Sequence, residues 1–99
     1  MKQSLTYDEF IKLNKKNYLF IDIREHIHYS QIHLSHTINI PYSSIYEYIH
    51  TIYTNKPIVF ICYSGGLSQE LCKHMNMNHS LSYYLKGGIR TLIPPNDYY

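Results

Sequence analysis

Cys62 stands where a thiol can do chemistry. The run Ile58-Val59-Phe60-Ile61 after Pro57 is apolar and rich in β-branched residues, and reads as a short buried strand. The strand ends on Cys62, a Tyr63-Ser64-Gly65-Gly66-Leu67 turn follows, and Ser68-Gln69-Glu70-Leu71-Cys72-Lys73-His74-Met75 has helical spacing. Ligands of open α/β sheets bind at the carboxyl ends of strands. A helix start adds unpaired N–H groups and the positive end of a dipole, so both a thiolate and an anion built on it are favoured there. Placements of this kind make thiols nucleophilic. Gly65 and Gly66 allow a bend that turns the N–H groups from Tyr63 to Ser68 towards one point, a nest for an anion. Ser64 and Ser68 hydroxyls would add donors, although Ser68 reads first as the N-cap of the helix. The competing reading is a buried cysteine that ends a core strand before an ordinary turn, and the loop alone does not decide between them.

Other chemistry-bearing residues have plainer readings. Asp22 and Arg24, just after a second apolar run, suit hydrogen bonds that organise the sheet edge, with Arg24 as a substrate cation the alternative. Cys72 falls on the inner stripe of its helix and reads as a core thiol. Its alternative role, a resolving cysteine, would need it to reach Cys62 across more than two helical turns. His26, His28, His33 and His36 resemble metal spacing, but no cysteine or paired carboxylate completes a ligand set, so no metal is expected.

The elements that must position Cys62 follow from periodicity. Thr6 and Glu9 have capping-box spacing before Phe10, Ile11 and Leu13, which predicts a helix over 7–14 ending near Lys15, Lys16 and Asn17. Residues 18–23 read as a strand buried on both faces. A polar, histidine-rich segment runs to Ser35, and Ile38-Asn39-Ile40-Pro41 is a short extended piece. Ser44 and Glu47 make a second capping box, with Ile45, Tyr48, Ile49 and Ile52 as a helical stripe. Asn55-Lys56-Pro57 turns into the central strand. Leu71, Cys72, Met75 and Met77 line the inner side of the next helix. Residues 81–85 form a last strand, 86–88 a turn and 89–93 a helical turn before Pro94-Pro95, with a frayed tail over 94–99. This alternation predicts an α/β fold: a small, mostly parallel central sheet with helices on both faces, in one domain over residues 1–99.

Composition excludes several classes. A formal charge of +2, scattered along the chain, is no nucleic-acid footprint. Two cysteines do not make a disulfide scaffold. No run has membrane-spanning length and the N-terminus lacks a signal-type apolar core, so a cytoplasmic protein is expected. The twelve tyrosines and the absence of alanine and tryptophan suggest an A+T-rich genome and carry no mechanism.

Three ordered segments resemble the rhodanese family of sulfurtransferase domains. Asp22-Ile23-Arg24-Glu25 through Tyr29, His33 and Ile38-Asn39-Ile40-Pro41 resembles, without a gap, the family's Asp-x-Arg-x-x-x-Glu-Tyr-x-x-Gly-His-Ile-x-Gly-Ala-x-Asn-Ile-Pro signature. Cys62 to Ser68 resembles its active-site loop, and Leu85-Lys86-Gly87-Gly88-Ile89 its final Leu-x-Gly-Gly. The resemblance implies a rhodanese-like fold and a catalytic Cys62 that accepts a sulfane sulfur as a persulfide and passes it to a thiol. Tyr63, Ser64, Gly65, Gly66, Leu67 and Ser68 would bind substrate, with Asp22 and Arg24 in support and no cofactor. His33 matches the family's own histidine and reads as a structural hydrogen bonder.

This chain also departs from the family's pattern. The loop has no Arg or Lys, Ile32 and His36 replace two glycines, Thr37 replaces an alanine, and His28 replaces a glutamate. The expected donors are thiosulfate or a persulfide, and a cysteine desulfurase or a thioredoxin-like protein are candidate partners. An open loop without a cation suits a persulfide better than thiosulfate. A non-catalytic interaction module is the alternative function. A thiol phosphatase or arsenate reductase would need an arginine six residues after the cysteine, where Ser68 stands.

Overall fold

The computed structural model describes residues 3–48, 55–77 and 81–91. Five strands form one sheet: β1 (Ser4–Leu5), β2 (Leu19–Asp22), β3 (Thr37–Asn39), β4 (Ile58–Ile61) and β5 (Ser82–Leu85), in the order β1-β5-β4-β2-β3. Every pairing is parallel, so the sheet is wholly rather than mostly parallel. The helices are α1 (Tyr7–Ile11), α2 (His26–Gln31), α3 (Tyr42–Tyr48) and α4 (Gly66–Met77), with 3-10 turns at Lys15–Asn17 and Ile89–Thr91.

Strand alternation divides the core into two layers. Ile21, Ile58 and Phe60 face one side with Ile45 of α3 and Leu71, Cys72 and Met75 of α4. Phe20, Val59 and Ile61 face the other with Phe10 of α1 and Ile89. Helices therefore cover both faces. β4 is the centre, all four of its residues being buried. It pairs with β2 on one side and β5 on the other, in register Ile61 to Asp22 and Phe60 to Tyr84. From β2 the chain runs outward to β3, and from β4 it runs the opposite way to β5. The crevice between the carboxyl ends of β2 and β4 is thus the switch point of the sheet, where open α/β folds bind ligands.

Some local expectations change. The Thr6–Glu9 capping box is formed, with Glu9 N–H to Thr6 Oγ1 at 3.2 Å and Thr6 N–H to Glu9 Oε1 at 2.9 Å. α1 nevertheless stops at Ile11, because Asn14 caps a separate 3-10 turn by accepting from Lys16 N–H at 3.0 Å. The Ser44–Glu47 pair is not an N-terminal box: α3 already starts at Tyr42, whose N–H donates to Ile23 O at 2.8 Å. Pro41 directly precedes that start, and its carbonyl accepts from Ser44 N–H at 2.8 Å. Ile49, Ile52 and the tail over 94–99 lie outside the described residues, as does the Met77 side chain. β1 and α2 are elements that periodicity did not indicate. Among the described residues no helix is long and apolar enough to cross a membrane.

Candidate active site

Cys62 follows the last residue of β4 directly and is only 4 % exposed. Its Sγ accepts two backbone hydrogen bonds, from Gly65 N–H at 3.1 Å and Ser68 N–H at 3.4 Å. Both donors approach from the α4 end of the loop, so a negative charge on sulfur meets N–H dipoles and the positive end of a 12-residue helix. Gly66 and Leu67 occupy the same first turn, where N–H groups lack intrahelical partners.

The loop is held from beneath by the turn after β5. Ile89 N–H donates to Cys62 O at 2.9 Å and Arg90 N–H to Tyr63 O at 3.3 Å. These bonds occupy the carbonyls of Cys62 and Tyr63. The contact is backbone on backbone. Gly88 has φ +72°, and a Cβ there would lie 2.2 Å from Tyr63 O and 2.7 Å from Cys62 O. Gly65 has φ +94°, and its Cβ would meet Gly87 N at 3.0 Å and Leu85 O at 3.1 Å. Gly66 is different: its Cβ would meet only Ser64 Oγ, at 3.8 Å, so the bend rests on Gly65 and not on the pair.

Ser68 is not the N-cap. α4 begins at Gly66, which makes Ser68 the third helical residue, with its N–H on the sulfur. Its Oγ is fully buried and has no hydrogen-bond partner among the described residues. Tyr63, Ser64, Gly66 and Leu67 are exposed. Tyr63 lies under the Arg90 guanidinium, 6.0 Å from ring centroid to Cζ. Arg90 is a cation close to the loop that counting along the chain does not reveal.

Asp22 and Arg24 form a braced corner after β2. The buried Asp22 carboxylate accepts Arg24 N–H at 3.0 Å, Nε at 3.1 Å and Nη2 at 2.9 Å. Nη2 also donates to Ile32 O. Asn39 Nδ2 donates to the carbonyls of Asp22 and Arg24 at 3.0 and 2.9 Å, tying β3 to the same corner. These bonds engage the guanidinium with Asp22 and Ile32.

Between this corner and the Cys62 loop lies a cavity of about 530 Å³, lined by Ile23, Arg24, Glu25, His28, Gln31, Ile32, Cys62, Tyr63 and Leu67. Glu25, His28, Gln31 and Ile32 reach the cavity from α2 and its ends, an element that periodicity does not indicate, so the sequence does not place them beside Cys62. The other histidines do not gather. His33 Nδ1 is 2.7 Å from Tyr29 O and its ring stacks on Tyr29 at 3.9 Å, while His26 Nδ1 is 3.3 Å from Asn39 Oδ1. Among the described residues no His, Cys, Asp or Glu cluster has metal-binding proximity. Cys72 is fully buried, and that burial pushes its thiol from 9.0 up to about 12, against a Ser82 hydrogen bond that lowers it and with Cys62 raising it further.

A buried strand, a cysteine whose sulfur accepts two loop N–H groups and a glycine turn packed against that loop can be set beside known proteins. The rhodanese-like domain model matches residues 6–92. The chain belongs to the rhodanese-like domain family. Thiosulfate sulfurtransferase GlpE of Coxiella burnetii is 25% identical to it over 80 residues, 80% of this chain and 75% of that protein. The fold matches a rhodanese-related protein from Thermoplasma volcanium with a TM-score of 0.81 and 24% identity, covering 90% of this chain and 88% of that one. It matches a rhodanese-like domain protein from Staphylococcus aureus with a TM-score of 0.82 and 20% identity, covering 97% and 95%.

Proposed function

We propose that this protein is a single-domain sulfurtransferase or persulfide carrier in which Cys62 is the nucleophile. The observation that carries the reading is the pair of N–H groups, from Gly65 and Ser68, directed at a cysteine sulfur in the wall of a cavity. The distant likeness to a thiosulfate sulfurtransferase supports it.

The Cys62 thiolate attacks the outer sulfur of a donor. With thiosulfate the S–S bond breaks and sulfite leaves with the electron pair. With a persulfide R–S–SH the thiolate R–S⁻ leaves. Either way Cys62 gains one sulfur, and the loop N–H groups hold the anionic form without a metal. The buried Ser68 hydroxyl is available as a further donor to the added sulfur. In discharge an acceptor thiolate attacks that sulfur, the Sγ–S bond breaks and Cys62 returns to thiolate. A cysteine desulfurase as donor and a thioredoxin-like acceptor, in a cytoplasmic setting, fit this chemistry.

The lining favours a persulfide over thiosulfate. Arg24 is the cavity's cation, and a buried carboxylate already neutralises it. A small dianion therefore finds N–H dipoles but, among the described residues, no uncompensated positive side chain in the cavity wall. Initial rates of Cys62 loading should be at least about tenfold greater from an alkyl persulfide than from thiosulfate, the scale of one missing charge contact. Equal or faster loading from thiosulfate would contradict the donor preference. Loading from neither donor by a folded protein would contradict the function.

A further inference from the structure

The cavity carries information about the rest of the substrate. Its walls are apolar at Ile23, Ile32 and Leu67, and its volume of about 530 Å³ is that of a small-molecule pocket. The sulfur is provided for by the loop. What remains is the charge around the tail of the molecule. Arg24 contributes none in effect, because its Nε and Nη2 are bonded to the buried Asp22 carboxylate and Nη2 also to Ile32 O. Glu25 is the other formal charge among the described lining residues, and Arg90 lies outside the lining, over the Tyr63 ring. It stands at the N-cap of α2, is exposed, and makes no capping hydrogen bond to the helix. The carboxylate is thus not tied to its own helix.

We infer that the site takes a low-molecular-weight thiol or persulfide whose tail carries an ammonium group, and that Glu25 is the residue that selects it. The inference rests on the proposed persulfide chemistry of Cys62. The carbons of an aminothiol pack against Ile23, Ile32 and Leu67 while its ammonium group approaches Glu25. A carboxylate or sulfonate tail would place like charge against Glu25 instead. The step itself is balanced without redox partners. R–S⁻ attacks the outer sulfur of Cys62–S–SH, the Sγ–S bond breaks, its electron pair stays on Cys62, and R–S–SH leaves.

The test loads the protein with sulfur and follows discharge to cysteamine and, separately, to 3-mercaptopropionate. These are small thiols whose tails differ in the sign of charge. Their intrinsic reactivities differ too, so the readout is the ratio of the two rate constants compared between proteins. Glu25→Gln should lower the cysteamine-to-mercaptopropionate ratio about tenfold, and Glu25→Lys should lower it about a hundredfold, as a unit charge near the tail changes or reverses. Glu25→Asp, which keeps the charge, should hold the ratio near that of the unsubstituted protein. A ratio that stays within about twofold in both Gln and Lys proteins overturns the inference while leaving persulfide formation intact. Failure of the unsubstituted protein to load at all overturns the underlying reading, and the inference with it.

Discussion

Gly88→Ala is the sharpest perturbation of the loop that leaves every side chain of the site in place. The new Cβ would sit 2.2 Å from Tyr63 O, 2.4 Å from Tyr63 C and 2.7 Å from Cys62 O. Ordinary contact needs about 3.4 Å, so either the Cys62–Tyr63 peptide or the β5 turn must move by about 1 Å. The backbone at φ +72° adds about 1–2 kcal/mol for a residue with a side chain. Overpacking against backbone adds about 1–3 kcal/mol more, for a total near 3 kcal/mol and a fall in Tm of about 15 °C. A displacement of about 1 Å at the nucleophile costs on the order of a hundredfold in rate. The assay pairs thermal unfolding with initial rates of Cys62 sulfur loading, measured well below the lowered Tm. Gly66→Ala is the comparison: its Cβ meets only Ser64 Oγ, at 3.8 Å, inside the first turn of α4. That change should be neutral or stabilising by up to about 1 kcal/mol. If folded Gly88→Ala loads sulfur within about threefold of the unsubstituted rate, the claim that this turn fixes the loop is refuted.

Three further outcomes follow from the same geometry. Arg24→Met leaves the fully buried Asp22 carboxylate without its guanidinium, and denaturant titration should show a loss of about 3–5 kcal/mol. His36 has φ +65°, so His36→Gly should raise stability by about 0.5–1 kcal/mol in the same titration. The Cys72 thiol, raised to about 12 when folded, binds its proton more tightly than in the unfolded chain. Its contribution is complete below pH 9.0 and is lost as pH rises towards about 12. In that window the native protein should therefore lose stability faster than Cys72→Val, at a rate approaching 1.4 kcal/mol per pH unit.

What the sequence made legible is what burial encodes. β4 and the Leu19–Ile21 part of β2 are continuous apolar runs, and the parallel α/β architecture follows from them. α2 was not visible because it buries nothing. Ile27 is 64 % exposed, and the helix is tied down by polar contacts such as Tyr29 O–H to Thr37 O at 2.8 Å. That omission hid the Glu25–Ile32 side of the cavity. β1 is two residues held by parallel pairing to β5, too short to carry a period. The false capping box at Ser44 and the cap assigned to Ser68 share a cause. Serine near a helix start is ambiguous by one turn, and here α3 starts at Tyr42, directly after Pro41, and α4 at Gly66, directly after the positive φ of Gly65. The departures from the family signature separate in the same physical way. Ile32 sits at φ −164°, extended and open to any residue, whereas His36 holds a left-handed conformation that suits glycine. Arg90 was out of reach for another reason: its proximity to Tyr63 arises only when β5 lies beside β4.

The most direct test of the account is the intact mass of the protein after incubation with an alkyl persulfide and, separately, with thiosulfate, for the native chain and for Cys62→Ser. The expected result is a reducible gain of one sulfur on the native chain, larger with the persulfide and absent from Cys62→Ser although Cys72 remains. A folded native protein that gains no sulfur from either donor, or a Cys62→Ser protein that still gains it, would contradict Cys62 as the sulfur-accepting nucleophile.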